Sequence, residues 1–147
     1  MESDEIIAKK IKAAYRNQLK PMLCVGETEE ERKQGATNDK IASQLKSALE
    51  GITEEQAKLL TVAYEPLWAI GTGNTATAKD AQDVCLFIRR QLEEIVGETA
   101  ARHIRILYGG SVKETNAAQF CIKGIDGVLV GGASLKVDSF AKIVRSF

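Results

Sequence analysis

The chemistry this chain could do begins at Glu65, the one carboxylate set between an apolar, strand-like run and a proline, in Ala63-Tyr64-Glu65-Pro66. Pro66 fixes φ and has no N–H for a sheet ladder, so it ends the strand and presents the carboxylate at the strand's C-terminal end. Partial burial beside Trp68 would raise the carboxyl pKa and suit Glu65 to act as a base. Taken alone, Glu-Pro reads first as a salt-bridged glutamate at a loop start. The neighbours reverse that reading. Pro66-Leu67-Trp68-Ala69-Ile70-Gly71-Thr72-Gly73 is stiff at one end, apolar in the middle and flexible at its glycine end. Such a segment can swing as a lid and exclude water from the carboxylate, or form a simple turn that packs Trp68 and Ile70 into a core.

Two glycine pairs point to an anion. Tyr108-Gly109-Gly110-Ser111-Val112 and Val130-Gly131-Gly132-Ala133-Ser134 each follow a strand-like run. Paired glycines let backbone N–H groups approach a ligand, and a helix N-terminus adds partial positive charge, so two such loops can hold a phosphate dianion without a basic residue. Either pair alone is a common turn, and Ser111 is also placed to cap a helix with Glu114 three residues on. Two such loops after consecutive strands are more specific.

The elements that must position these groups follow from periodicity. Four short apolar runs, Met22–Val25, Leu60–Tyr64, Ile104–Tyr108 and Val128–Val130, read as buried parallel strands. Amphipathic stretches at Asn38–Glu50, Ala78–Val96, Glu114–Ile122 and Asp138–Phe147 read as the helices between and after them. A leading helix, Ser3 to about Gln18, carries Ile6, Ile7, Ile11 and Ala14 on one face. Thr28 with Glu31, Thr53 with Gln56 and Ser111 with Glu114 have capping-box spacing, and Gly51 and Gly97 follow helix ends. Periodicity leaves open whether the sheet is doubly wound or part of a barrel.

Composition narrows the partners. The 147 residues include 20 basic and 20 acidic side chains, with 44% hydrophobic and 27% charged. This balance gives no electrostatic case for nucleic acid or an anionic membrane. Cys24, Cys85 and Cys121 are isolated and lie in apolar stretches, which predicts reduced, buried thiols and no metal cluster or disulfide framework. No apolar run approaches the ~18 residues of a membrane span, and the opening Met-Glu-Ser-Asp-Glu is acidic where a signal peptide is basic. A cytoplasmic setting is expected.

Leu23-Cys24-Val25-Gly26-Glu27 with Glu29-Glu30-Glu31-Arg32, the run from Ala63 to Thr77, Tyr108 to Val112, and Val130-Gly131-Gly132-Ala133-Ser134-Leu135-Lys136 together resemble the triosephosphate isomerase family, from about Glu2 to Phe147. The resemblance covers only the second half of that family's eight-stranded barrel. It implies an α/β fold over 1–147, a single half-barrel domain, that is, a partial TIM barrel of four parallel βα units plus a leading helix. The implied reaction interconverts dihydroxyacetone phosphate and glyceraldehyde 3-phosphate by an enediol route, in glycolysis and gluconeogenesis, with no metal and no organic cofactor. Glu65 would be the base and the residues from Pro66 to about Ala76 the lid. Gly71, Ser111, Gly131 and Gly132 would bind the substrate phosphate, largely through backbone N–H groups.

The same resemblance implies that groups are missing. The family's first-strand asparagine and lysine and its fourth-strand histidine have no counterpart here, nor does the protruding loop of its usual dimer. His103, the only histidine, precedes a strand at the wrong end and reads as a surface or packing residue. Lys136 lies in a family motif but is not the catalytic lysine, and Lys20 stands at the wrong end of its strand. Loss of the oxyanion donors and of acid–base help removes roughly four to seven orders of magnitude of rate, so the chain alone is expected to be inactive or very weak. A half barrel also leaves an apolar inner face and two unpaired edges. The expected closure is a second copy, as a homodimer without catalysis, or a complementary first-half chain that makes a split isomerase.

Overall fold

The computed structural model describes residues 2–70 and 74–147. Among them, four parallel strands form one sheet in sequence order: β1 (Met22–Val25), β2 (Thr61–Tyr64), β3 (Arg105–Tyr108) and β4 (Gly127–Val128). The helices are α1 (Asp4–Arg16), α2 (Glu29–Lys33), α3 (Thr37–Leu49), α4 (Glu54–Ala57), α5 (Ala78–Val96), α6 (Glu98–Ala101) and α7 (Val137–Val144). This is an α/β architecture consistent with part of a β/α barrel, and β1 and β4 are its edges.

Register places the functional rim. Val25 pairs with Tyr64, Tyr64 with Tyr108, and Tyr108 with Val128, so all four strands end together. The ladder continues one residue further, where Glu65 N donates to Val25 O at 2.7 Å, Gly109 N to Tyr64 O at 2.8 Å and Leu129 N to Tyr108 O at 2.9 Å. Glu65 and the glycine pairs therefore emerge from one rigid edge.

One face of the sheet is covered. Leu23, Val25, Val62, Tyr64, Ile106 and Tyr108 are buried in one cluster with Ile41 and Leu45 of α3, Ile88 and Leu92 of α5, and Phe120. The spacing of Ala81, Val84, Cys85, Ile88 and Leu92 puts them on one stripe of α5, which Thr77 caps at its start by accepting from Asp80 N. Gly97 ends α5 at φ 85°, a backbone region that disfavours residues with a β-carbon. The alternate residues Met22, Cys24, Thr61, Ala63, Arg105 and Leu107 face the other way; Met22, Cys24 and Arg105 are exposed, whereas Ala63 on the middle strand is buried.

At the opposite end of the strands Arg89 ties three elements together. Its guanidinium donates to the carbonyls of Ala101 and Ile104, the latter at 2.7 Å, and to Asp126 Oδ2 at 2.8 Å, which also accepts from Ile106 N at 2.8 Å. Arg89→Ala is expected to lower stability by about 1–3 kcal/mol, because the carbonyls and the carboxylate lose their donor while still partly buried. Urea denaturation checks this; an unchanged midpoint would show that water replaces the guanidinium without cost.

Several expectations need correction. The Glu114–Ile122 stretch is not an α-helix but a short 3-10 turn, Ala117–Phe120. Asn116 explains it: its side chain accepts from Lys113 N at 2.7 Å and donates to Ser111 O at 3.0 Å, and such local bonds compete with helix formation. The Ser111–Glu114 capping box is absent, and the Glu114 carboxylate instead accepts from Ser139 Oγ. Both other boxes, at Thr28 and Thr53, are present. The last strand is Gly127–Val128, not Val128–Val130, since the chain turns at Gly131 into a 3-10 turn. The final helix stops at Val144 and α1 at Arg16, where Gln18 turns the chain with φ 57°. Cys85 is buried as expected, but Cys24 and Cys121 are exposed, Cys24 because it points to the uncovered side of an edge strand.

Candidate active site

Two glycines make room for Glu65. A β-carbon at Gly26 would come within 1.9 Å of Glu65 O, and one at Gly109 within 2.7 Å of Glu65 Cγ. The loop after β1 thus packs on the glutamate's backbone, and the loop after β3 on its side chain. Burial pushes the Glu65 carboxyl above the usual carboxylate range, and a hydrogen bond with the Cys24 thiol partly opposes that. Burial and the nearby Glu65 charge push the Cys24 thiol up to about 11, so it stays protonated and can donate.

The start of the proposed lid is anchored by a second, fully buried carboxylate. Glu27 Oε1 accepts from Tyr64 Oη at 3.1 Å and Trp68 Nε1 at 3.0 Å, and Arg32 Nη1 lies 3.4 Å away. The Arg32 guanidinium also sits 4.5 Å from the centre of the Trp68 ring and 3.2 Å from Asp80 Oδ1 in the first turn of α5. Leu67 N donates to Glu27 O at 3.0 Å, and Leu67–Ala69 forms a 3-10 turn with Ala69 buried. Pro66 is buried, Leu67 and Trp68 are half-buried, and Ile70 is exposed. The predicted lid residues Gly71, Thr72 and Gly73, and with them the predicted phosphate contact at Gly71, lie outside the described residues.

A cavity of about 660 Å³ lies at the rim, and Glu65, Ile70, Gly110, Ser111, Gly131 and Gly132 are on its wall. The structure therefore brings the predicted base together with Ser111, Gly131 and Gly132. Among the described residues, neither Gly131 nor Gly132 has a heavy atom within 4 Å of where a β-carbon would stand. The turn Gly132–Leu135 begins there, closed by Ser134 N and Oγ on Gly131 O at 2.9 and 2.7 Å. First-turn N–H groups have no helical acceptor of their own and suit an anion.

Sequence reasoning gave no role to Cys24 or Glu27, and it expected no basic side chain at the anion site. Lys113 and Lys136 both line the cavity. Tyr64 and Trp68 are 37 and 41 residues from Glu27, so only the fold reveals that contact. His103 is exposed, before the N-terminal end of β3, with Nδ1 2.9 Å from Thr99 O. Among the described residues no group of three or more His, Cys, Asp or Glu could hold a metal ion, and no helix is long and apolar enough to cross a membrane.

Comparison with known proteins agrees with this arrangement. The family model described as triosephosphate isomerase matches residues 1–147. Over 145 residues the chain is 55% identical to the triosephosphate isomerase of Carboxydothermus hydrogenoformans and 56% identical to that of Moorella thermoacetica. It is 51% identical to that of Acetivibrio thermocellus. In each case the match takes in 98% of this chain and 58% of the relative, so the chain spans under two-thirds of their length, consistent with a C-terminal half. With its strands, rim and glycine loops in the order that match requires, the chain belongs to the triosephosphate isomerase family.

Proposed function

We propose that the chain supplies the proton-transfer base, the lid and the phosphate loops of an isomerase that interconverts dihydroxyacetone phosphate and glyceraldehyde 3-phosphate, the glycolytic step. The observation that carries this reading is that Glu65 shares one cavity with Ser111, Gly131 and Gly132. A phosphate on the glycine loops would place the adjoining carbons beneath the carboxylate. Glu65 would then take a proton from the carbon next to the carbonyl, leaving an enediol, and return it to the neighbouring carbon. Its raised pKa brings it nearer the operating pH, where a base is most effective. Trp68, held by Glu27, fixes the base of the lid, with the segment from Pro66 to Gly73 closing over the substrate. The reaction moves only a proton and calls for no organic cofactor. Free thiols at Cys24, Cys85 and Cys121 suit a reducing cytoplasm.

The cavity wall has a base and two lysines but no histidine among its residues, so the carbonyl lacks the donor that the family resemblance leads one to expect. The chain alone should bind phosphate and turn over substrate very slowly. Gly132→Val tests the binding half of this reading. No described residue stands near a β-carbon at Gly132, and its φ is not positive, so valine can be accommodated by the free protein while its side chain occupies the anion's place. The expected result is at least about a tenfold weaker Kd for 2-phosphoglycolate, about 1.4 kcal/mol, with unchanged thermal unfolding. Unchanged affinity by calorimetry would remove Gly132 from the site.

A further inference from the structure

Glu65 is supported by a residue that does not line the cavity of the glycine loops. Val25 O accepts from Glu65 N at 2.7 Å and Glu27 O from Leu67 N at 3.0 Å, so Val25 and Glu27 turn their carbonyls toward the segment that carries the base. Backbone polar groups alternate in direction along an extended chain, and Gly26, between these two, turns its own N–H and C=O away from β2. Gly26 is buried, so both groups need partners. Gln44 of α3 supplies them. Gly26 N donates to Gln44 Oε1 at 3.0 Å, and Gln44 Nε2 donates to Gly26 O at 3.3 Å. A primary amide carries the same donor and acceptor as a peptide group, so one side chain satisfies both. The helix beneath it is fixed in the core by Ile41, Leu45, Ala48 and Leu49.

We infer that Gln44 is a positioning residue for Glu65 and acts on it through Gly26. This rests on the function proposed above, in which Glu65 is the base. The coupling is steric: a β-carbon at Gly26 would stand 1.9 Å from Glu65 O and 3.3 Å from Pro66 N, so the Gly26 backbone packs directly on the backbone that presents the carboxylate. Any shift of Gly26 passes to Glu65, and a misplacement of about 1 Å can cost about 10²-fold in rate. Gln44, Gly26, Cys24 and Glu65 also wall a second, smaller cavity of about 190 Å³, which water would enter further if the clamp opened.

The test is Gln44→Met, which keeps the length, helix preference and charge of the side chain but makes neither hydrogen bond. Carbon-13 NMR of the full chain with carboxyl-labelled glutamate follows the titration of Glu65, whose resonance is identified by its loss in Glu65→Gln. Among the described residues, the titratable groups that share a cavity with Glu65 are Cys24, Glu2, Lys113, Glu114 and Lys136, and the substitution alters none of them. Burial raises the Glu65 pKa, so a loosened Gly26 should lower its midpoint by at least about 0.5 pH unit, toward the ordinary value of about 4.3. A role in stability alone would lower the melting temperature and leave that midpoint in place. With the chain refolded together with a first-half chain of its family, kcat should fall at least about tenfold while KM stays within about twofold, since the glycine loops are untouched. In the unsubstituted chain the Gly26 N–H and the Gln44 side-chain amide should shift with the same midpoint as Glu65. A midpoint unmoved in folded Gln44→Met, amide resonances indifferent to Glu65, or a kcat that stays within about twofold would overturn the inference. A midpoint that moves as expected, with turnover undiminished by Glu65→Gln, would contradict the proposed function and leave the clamp standing.

Discussion

Glu65→Gln is expected to lower turnover of the completed barrel by about 10²–10⁴-fold, the usual contribution of a positioned acid–base group. The amide keeps the shape of the side chain and its fit against Gly109, so the Kd for 2-phosphoglycolate should change far less than kcat. The pH profile should have its acidic limb above the pH where an ordinary carboxylate near 4.3 titrates, because burial raises the Glu65 pKa and the base must be ionised to work. Stability should run the other way. A carboxyl whose folded-state pKa is raised favours the fold while it is protonated, below its unfolded pKa, and that contribution is lost as pH rises through the folded value. At neutral pH the ionised Glu65 therefore weighs against folding, and the Gln variant should melt at an equal or higher temperature. Loss of turnover together with a lower melting temperature would indicate instead that Glu65 holds the rim together.

The second large effect is expected at Phe120. Its ring is fully buried and stacks on Tyr108, with centroids 4.3 Å apart and planes at 26°, and Tyr108 lies 6.3 Å from Tyr64. Tyr64 and Tyr108 are the last residues of β2 and β3, directly before Glu65 and Gly109. Phe120→Ala should cost about 3–5 kcal/mol, from lost apolar burial and an unfilled cavity. That is a large share of the 5–15 kcal/mol typical of a domain. Because the cavity would open under both loops, phosphate affinity should fall as well, whereas Phe120→Leu should recover most of both. Urea denaturation and 2-phosphoglycolate calorimetry check this pair; a loss under about 1 kcal/mol for Phe120→Ala would mean that the 3-10 turn collapses onto Tyr108.

These two residues differ in how they announce themselves in the sequence. Glu65 was legible because proline after an apolar run ends a strand, and the strand end became a site once the glycine loops were counted with it. The helix Ala78–Val96 is legible to the residue, since its apolar stripe and the Gly97 that follows it agree. The apolar spacing of Glu114–Ile122 permits a regular helix around Phe120; the competing hydrogen bonds of Asn116 decide otherwise. Leu129 and Val130 look like strand residues, yet β4 is two residues long and Leu129 only continues the ladder by one bond. The supports of Glu65 were not legible. Gly26 and Gly109 are small because a glutamate from another strand lies against them, and Glu27 is buried because Tyr64 and Trp68 reach it from across the sheet.

Exposure tells a similar story at the edges. Met22 and Cys24 alternate with Leu23 and Val25 in β1, and the sequence alone suggested that the whole run was buried. In the structure the second face is exposed at Met22, Cys24 and Arg105 but not at Ala63, and the first and last helices keep apolar residues such as Ile6, Val137 and Phe140 uncovered.

The measurement that bears most directly on this account is proton NMR of dihydroxyacetone phosphate in D₂O with the chain refolded together with a first-half chain of its family. Transfer through a single carboxylate that exchanges with solvent predicts glyceraldehyde 3-phosphate carrying solvent deuterium on the carbon that received the proton, formed about 10²–10⁴-fold more slowly with Glu65→Gln under the same conditions. Turnover undiminished by Glu65→Gln would contradict the assignment of Glu65 as the base, and with it the function proposed for this chain.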